Sequence, residues 1–198
     1  MIAEYINHSG GAGGSDMEWE NQGLPYGVKT IAYSFGNHVQ YGKNQCKLTQ
    51  EQLNEGYEKC KIAAETLKRP WKYIENKPYV KNLMARNWFQ VKGADCVFAV
   101  GKFVKNSTTL VDGGTGWAVQ MAVDNYVPIY FFEQNVNSWF SFDYCTDIDG
   151  AQRERQFIPC LCPPTLTKNF AGIGTREINE NGKKAIAEVY KHSFTAFQ

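Results

Sequence analysis

One stretch constrains the fold more than any other: Leu110-Val111-Asp112-Gly113-Gly114-Thr115-Gly116-Trp117-Ala118-Val119-Gln120-Met121-Ala122. A glycine cluster opens a helical pattern. An apolar run, Cys96-Val97-Phe98-Ala99-Val100-Gly101, precedes it, and another, Val127-Pro128-Ile129-Tyr130-Phe131-Phe132, follows. Strand, glycine turn, helix, strand is the βαβ unit. Such a turn either points backbone N–H groups at an anion or simply lets a helix approach a sheet. The rest of the chain has to decide between these.

Two further glycine turns follow strand-like segments. Residues 1–8 alternate enough for a strand and run into Ser9-Gly10-Gly11-Ala12-Gly13-Gly14-Ser15-Asp16. Ser15 or Asp16 then suits the N-cap of a helix over Met17 to Gln22. Near the C-terminus, the strand Lys168–Ala171 leads into Gly172-Ile173-Gly174-Thr175-Arg176-Glu177, and a helix follows from Asn179 to Ser193. Between the outer turns the pattern predicts a strand over Val28–Phe35. A helix starts with a capping box at Thr49 and stops at Pro70, and another covers Tyr79–Val91. The segment Trp139–Tyr144 reads as an edge strand, with Phe157-Ile158-Pro159 as its short partner. Five or six apolar strands alternating with helices specify an α/β, Rossmann-like three-layer sandwich with a mostly parallel sheet. The C-terminal strand and helix complete that sheet. Ligands of such sheets bind beyond the carboxyl ends of the strands, the end all three glycine turns occupy.

Composition removes some alternatives. The 198 residues suit one domain, and the formal net charge of +1 gives no global field to attract nucleic acid or an anionic membrane. The basic and aromatic stretch Lys59–Lys81 is either a local nucleic-acid patch or a solvated face of snorkelling lysines. No apolar run is long enough to span a bilayer, and no signal-peptide pattern is present, so a cytoplasmic protein with reduced cysteines is expected. Cys46, Cys60 and Cys96 read as core. Cys145, Cys160 and Cys162 lack the spacing of a zinc ribbon, and no metal site is expected.

Four motifs together resemble the SLOG superfamily, which includes LOG-type phosphoribohydrolases, the DNA-processing protein A family, YpsA-like proteins and molybdenum-cofactor-carrier-like proteins. Ser9 to Asp16 resembles its "SGGA-x-G-x-D" turn. Arg86-Asn87, Val91 and Ala94-Asp95 resemble an "RN…V…AD" segment. Asp112 to Gln120 resembles "PGGxGTxxE", and Gly172 to Glu177 resembles "GxGSR". The resemblance implies one nucleotide-binding domain over 1–198, with 37–79 and 134–166 as family-specific insertions, and a homo-oligomer. The "GxGSR" strand ordinarily comes first and here comes last, which implies a circular permutation with the strand ending near Ala171 beside the strand ending near His8. The Thr and Glu of the hydrolase signature are replaced by Trp117 and Gln120. Cleavage of an N-glycosidic bond needs a carboxylate, and Gln120 is neutral. Glu177, Asp16, Asp112 and Asp95 are the carboxylates left to stand in.

The expected ligand is therefore a nucleotide or nucleotide-derived signal, held by a sensor, carrier or sequestering protein with no other cofactor. The alternative is an N-glycosidic hydrolase or transferase acting on nucleoside phosphates. The phosphate contacts are assigned to Ser9, Gly10, Gly11, Gly14, Ser15, Gly113, Gly114, Thr115, Gly116, Gly172, Gly174 and Thr175, with Gln120 beside them. Arg176 serves as a bidentate clamp or as a surface residue paired with Glu177 or Glu180. Asp16 fixes a ribose hydroxyl or caps its helix. Arg86 and Asn87 reach the crevice only if their helix end points that way. Trp117 stacks on a base or packs under Trp139–Tyr144. His8 is a titratable phosphate donor or a structural histidine, and His38 carries no signal.

Overall fold

The structure is a computed structural model that describes residues 4–145, 147–148, 151–152 and 154–195. Residues 1–3 of the expected first strand lie outside the described residues. The elements in chain order are β1 (Ile6–Ser9), α1 (Ser15–Gly23), β2 (Lys29–Ser34), β3 (Gln45–Lys47), α2 (Gln50–Thr66), α3 (Lys72–Glu75), α4 (Pro78–Lys92), β4 (Cys96–Gly101), α5 (Thr115–Asp124), β5 (Ile129–Glu133), β6 (Ser138–Asp143), β7 (Asp147–Ile148), β8 (Ala151–Gln152), β9 (Gln156–Pro159), β10 (Asn169–Gly174) and α6 (Glu180–Thr195). Eight strands form one sheet in the order β3-β2-β1-β10-β4-β5-β6-β9, parallel from β3 to β5 and antiparallel across β5-β6 and β6-β9. This is an α/β, Rossmann-like three-layer sandwich. β7 and β8 make a separate two-stranded hairpin.

β4 shows why the sheet is covered on both sides. Its side chains alternate between two cores, Val97 and Ala99 facing α2, α4 and α5, and Cys96, Phe98 and Val100 facing α1 and α6. A strand buried on both faces needs a continuous apolar run, which is what Cys96–Gly101 supplies. On the α1/α6 side, Trp19 is fully buried among Phe98, Phe170 and Tyr190. The Tyr190 hydroxyl donates to the Trp19 carbonyl at 2.7 Å, so its polar tip is satisfied in the core. Burying each such ring contributes about 1.5–3 kcal/mol.

β10 inserts between β1 and β4 and runs parallel to both, with Ile6 opposite Asn169 and Phe170 opposite Cys96. The last strand of the chain thus lies in the middle of the sheet, beside the first. That placement brings the first and third glycine turns into contact although they are separated by most of the chain.

The structure departs from the sequence reading at several elements. β3 and α3 were not anticipated, being too short for a periodic pattern. The capping box of α2 is present, with Thr49 Oγ1 accepting from the Gln52 N–H and the Gln52 side chain accepting from the Thr49 N–H. Neither Ser15 nor Asp16 caps α1; the cap position is Gly14, and no side chain bonds there. Segment 37–79 supplies β3, α2 and α3, and segment 134–166 supplies β6 to β9. Both extend the same sheet or its helical cover. Cys60 and Cys96 are buried, but Cys46 is only half-buried because β3 is an edge strand. Among the described residues no helix is long and apolar enough to cross a membrane.

Candidate functional site

A cleft of about 390 Å³ opens at the carboxyl end of the sheet. Its size falls in the range of small-molecule sites, about 300–1,000 Å³. The first glycine turn contributes Ala12 and Asp16, the second Gly114 and Thr115, and the third Ile173 to Glu177. The α4 face adds Leu83, Met84, Arg86, Asn87 and Gln90, and α5 adds Ala118. Residues 83, 86, 87 and 90 recur at helical spacing, so one stripe of α4 walls the cleft. All three glycine turns converge here, and the end of α4 that bears Arg86 and Asn87 faces it.

Most of the turn N–H groups assigned to phosphate are already used inside the protein. Gly11 N–H donates to Ser9 Oγ at 3.1 Å. Ala12 N–H and Gly174 N–H both donate to the Asp16 carboxylate at 3.2 Å. Ser15 donates from its N–H and its hydroxyl to the Thr175 carbonyl, at 3.0 and 2.8 Å. Thr175 N–H is taken by the Val100 carbonyl, and Thr175 Oγ1 accepts from Glu177 N–H. Gly113 N–H bonds Asp112 Oδ1, and Gly116 N–H bonds the Asp112 carbonyl. These bonds hold the turns to one another and leave few donors over.

Asp16 is the staple. It is buried, and burial pushes its carboxyl above the ordinary value, while the Arg86 charge and the N–H groups of Ala12, Gly174 and Gly10 pull the other way. Its oxygens accept from the protein's own backbone, and the residue also lines the cleft. Gly14 explains part of the geometry. Its φ of 86° is disfavoured for any side chain, and a Cβ there would lie 2.3 Å from the Arg176 carbonyl.

Ten of the residues assigned to binding do not line the cleft; Gly10, Gly11, Gly14, Ser15 and Gly113 stand in the turns behind it. Trp117 is 4% exposed and sits in the α2/α4/α5 core, with the Arg69 guanidinium 6.0 Å from its ring centre; it does not line the cleft, and it shares that core with Phe140, Phe142 and Tyr144 of the aromatic segment, while Trp139 belongs to the opposite core. Gln120 donates to Asp124 Oδ1 at 2.8 Å and lies about 200° around α5 from Ala118, so whichever residue stood there would face away from the cleft. Gly172 lies within β10, donates to Asn7 Oδ1 and packs against Trp19. Gly116 packs against the Val111 carbonyl. Ser9 is fully buried under its own turn. Asp112 is largely exposed, faces Arg69 and does not line the cleft. His8 also fails: its ring lies against Tyr33 and Gly93, and Asn169 and Asp95 at the amino end of the sheet are the groups that act on it.

What remains free is compact. Gly114 and Thr115 N–H, at the start of α5, donate to no acceptor among the described residues. Arg86 is buried, its Nη1 donates to Gln90 Oε1 at 3.3 Å, and its Nε has no partner. Burial lowers the Arg86 pKa, Asp16 raises it, and the second cation Arg176 lowers it again. Arg176 is exposed on the cleft wall, and among the described residues no ion pair engages it; Glu180 pairs with Lys183 instead. Glu177 is the exposed carboxylate of the wall.

Gln90 on α4, Arg69 and His38 escaped sequence reasoning. Arg69 donates to the Gly113 carbonyl at 2.8 Å and pairs with Asp112, fixing the second turn from the end of α2. His38 is buried, stacks on Phe35 at 4.9 Å and lies 6.3 Å from Tyr79 at the head of α4. Its pKa is pushed down to about 4, by burial first and then by the Arg86 and Arg176 charges. A lone histidine after a strand gives no local signal of this neighbourhood. Among the described residues no cluster of His, Cys, Asp and Glu is arranged to hold a metal ion. No family model, no curated protein and no solved structure matches the chain.

Proposed function

We propose that the cleft binds a nucleotide or nucleotide-derived signal and that the protein acts as its sensor, carrier or sequestering partner. One observation carries this reading: the N–H groups of Gly114 and Thr115, which no described residue accepts, buried Arg86, and Arg176, which no described residue pairs with, all belong to residues that line one cleft. A helix N-terminus facing guanidinium groups favours an anion with several acceptor oxygens, and a phosphate ester fits that chemistry. The interlocked turns hold those donors in place before any ligand arrives, which reduces the ordering cost of binding.

A second reading has its own support. The inference of a non-catalytic site leans on neutral Gln120, and Gln120 does not face the cleft. Glu177 does, as a carboxylate able to assist departure of a base from a nucleoside phosphate.

Titration with inorganic phosphate, nucleoside monophosphates, a dinucleotide and a cyclic nucleotide, followed by chromatography of the products, separates the two. The binder reading expects a rise in Tm of about 5–10 °C at a hundredfold excess over Kd, with the ligand recovered intact. Base release that disappears in Glu177→Gln would replace it with the enzyme. Unchanged affinity in Gly114→Asp or Arg86→Ala would show that the site is elsewhere.

A further inference from the structure

The cleft lining mixes two chemistries. Gly114, Thr115, Arg86 and Arg176 supply polar and charged groups. Leu83, Met84, Ala118 and Ile173 supply apolar surface, and the α4 stripe adds two amides, Asn87 and Gln90.

Asn87 is 6% exposed, lines the cleft and makes no hydrogen bond to any described residue. Its amide oxygen and nitrogen are not among the enclosed polar atoms that lack a partner, so they open onto the cleft, where a donor and an acceptor from outside can pair with them. Gln90 is 3% exposed and is half satisfied. Its Oε1 accepts from Arg86 Nη1, which fixes the amide orientation and leaves Nε2 without an acceptor in the protein. The free set is therefore one donor and acceptor side by side from Asn87, and one further donor from Gln90. Both project from the α4 stripe that carries Arg86, so they share its rigid backbone.

We propose that Asn87 and Gln90 are the specificity-determining residues of the cleft, reading the edge of a planar heterocycle whose phosphate lies at Gly114, Thr115 and Arg176. A side-chain amide pairs in a bidentate manner with a ring edge that presents an adjacent donor and acceptor, as in the recognition of base edges elsewhere. The apolar side chains of the lining, Leu83, Met84, Ala118 and Ile173, suit the faces of such a ring. Inorganic phosphate or a sugar phosphate would satisfy the charged groups and offer the two amides no ring edge. This inference rests on the nucleotide reading above and adds the ligand's orientation and the residues that choose its base.

The test compares ribose 5-phosphate with the four common nucleoside monophosphates by calorimetry, in the wild type, in Asn87→Asp and in Gln90→Leu. The wild type is expected to bind its preferred nucleotide about 10–100-fold more tightly than ribose 5-phosphate. Each variant is expected to lose that preference, read as the ratio of the two affinities, because Asn87→Asp adds a negative charge and Gln90→Leu removes the acceptor of Arg86 Nη1; a melting curve reports that the variant is folded. Equal affinity of the wild type for every nucleotide and for ribose 5-phosphate overturns base recognition and leaves the phosphate seat standing. Undiminished base preference in both variants overturns it as well. Binding of none of these compounds overturns the inference as stated for monophosphates, and the nucleotide reading falls with it when the dinucleotide and the cyclic nucleotide also fail to bind.

Discussion

Gly10 and Arg86 occupy adjoining space: a Cβ on Gly10 would fall 1.3 Å from Arg86 Nη1 and 2.8 Å from Asp16 Oδ2. The clash at Arg86 is with a side-chain tip, but that guanidinium is buried beside the Asp16 carboxylate, so Gly10→Ala is expected to cost about 1–3 kcal/mol and to displace the guanidinium from its place at the cleft. Charge-assisted hydrogen bonds are worth about 1.5–3 kcal/mol, so anion affinity should fall about 10–100-fold. Combining Gly10→Ala with Arg86→Ala should add little, because both remove one interaction. Calorimetric titration of the two single variants and the double variant checks this, and additive losses would mean that Gly10 acts through something other than Arg86. The glycines were legible as a turn in the sequence. Which of them makes room for a guanidinium, and which, like Gly172, makes room for Trp19, depended on what crosses above the turn.

The elements divide into those that carry the cleft and those that steady it. α4 carries Arg86, Asn87 and Gln90, and α2 packs on it so closely that a Cβ on Gly56 would lie 2.4 Å from the Ala85 carbonyl. Backbone cannot give way as a side-chain tip can. Gly56→Ala is expected to cost about 1–3 kcal/mol, to lower Tm by about 2–10 °C and to weaken ligand binding by displacing the α4 stripe. Thr49→Ala is the contrast. Loss of the α2 cap costs about 1 kcal/mol, or about 2–4 °C, with ligand affinity unchanged. Thermal melts with and without ligand distinguish the pair, and equal effects on binding would show that α2 does not position α4. The capping box and the helical periodicity were readable because they are local. The closeness of α2 and α4 was not, since Gly56 inside a helix looks in sequence like a weakness, about 1 kcal/mol worse than Ala.

For the whole molecule, the buried histidines set a pH dependence. The ordinary His pKa is near 6.5, and His38 in the folded protein titrates at about 4 because it is buried beside Arg86 and Arg176. Between these values the unfolded chain binds more protons than the folded one, so stability falls as pH drops through about 6.5 toward about 4. At pH 5 the His38 contribution is about 1–2 kcal/mol, or about 2–6 °C in Tm relative to pH 7. Burial of His8 acts in the same direction. Melting curves from pH 7 to pH 5 should steepen as described and flatten in part in His38→Gln; an unchanged slope in that variant would place the acid-labile group elsewhere.

The α/β class, the alternation of strands and helices, and the presence of three glycine turns at one sheet edge followed from the sequence alone. Each depends on apolar periodicity, glycine placement and capping residues that act within a few positions of one another. The position of β10 between β1 and β4 brought turns one and three together, and only the tertiary structure decided what their donors do. Contacts between Ser15 and Thr175, or between Asp16 and Gly174, span most of the chain and leave no local mark. The same is true of Trp117 and Gln120, which share a helix with Thr115 and Ala118 but face away from the cleft, because the direction of a helical side chain has meaning only once the helix is docked. What sequence reading offered as a row of phosphate-binding glycines is, once folded, an interlocked scaffold. It leaves Gly114, Thr115, Arg86, Arg176, Asn87 and Gln90 with groups still free to bind.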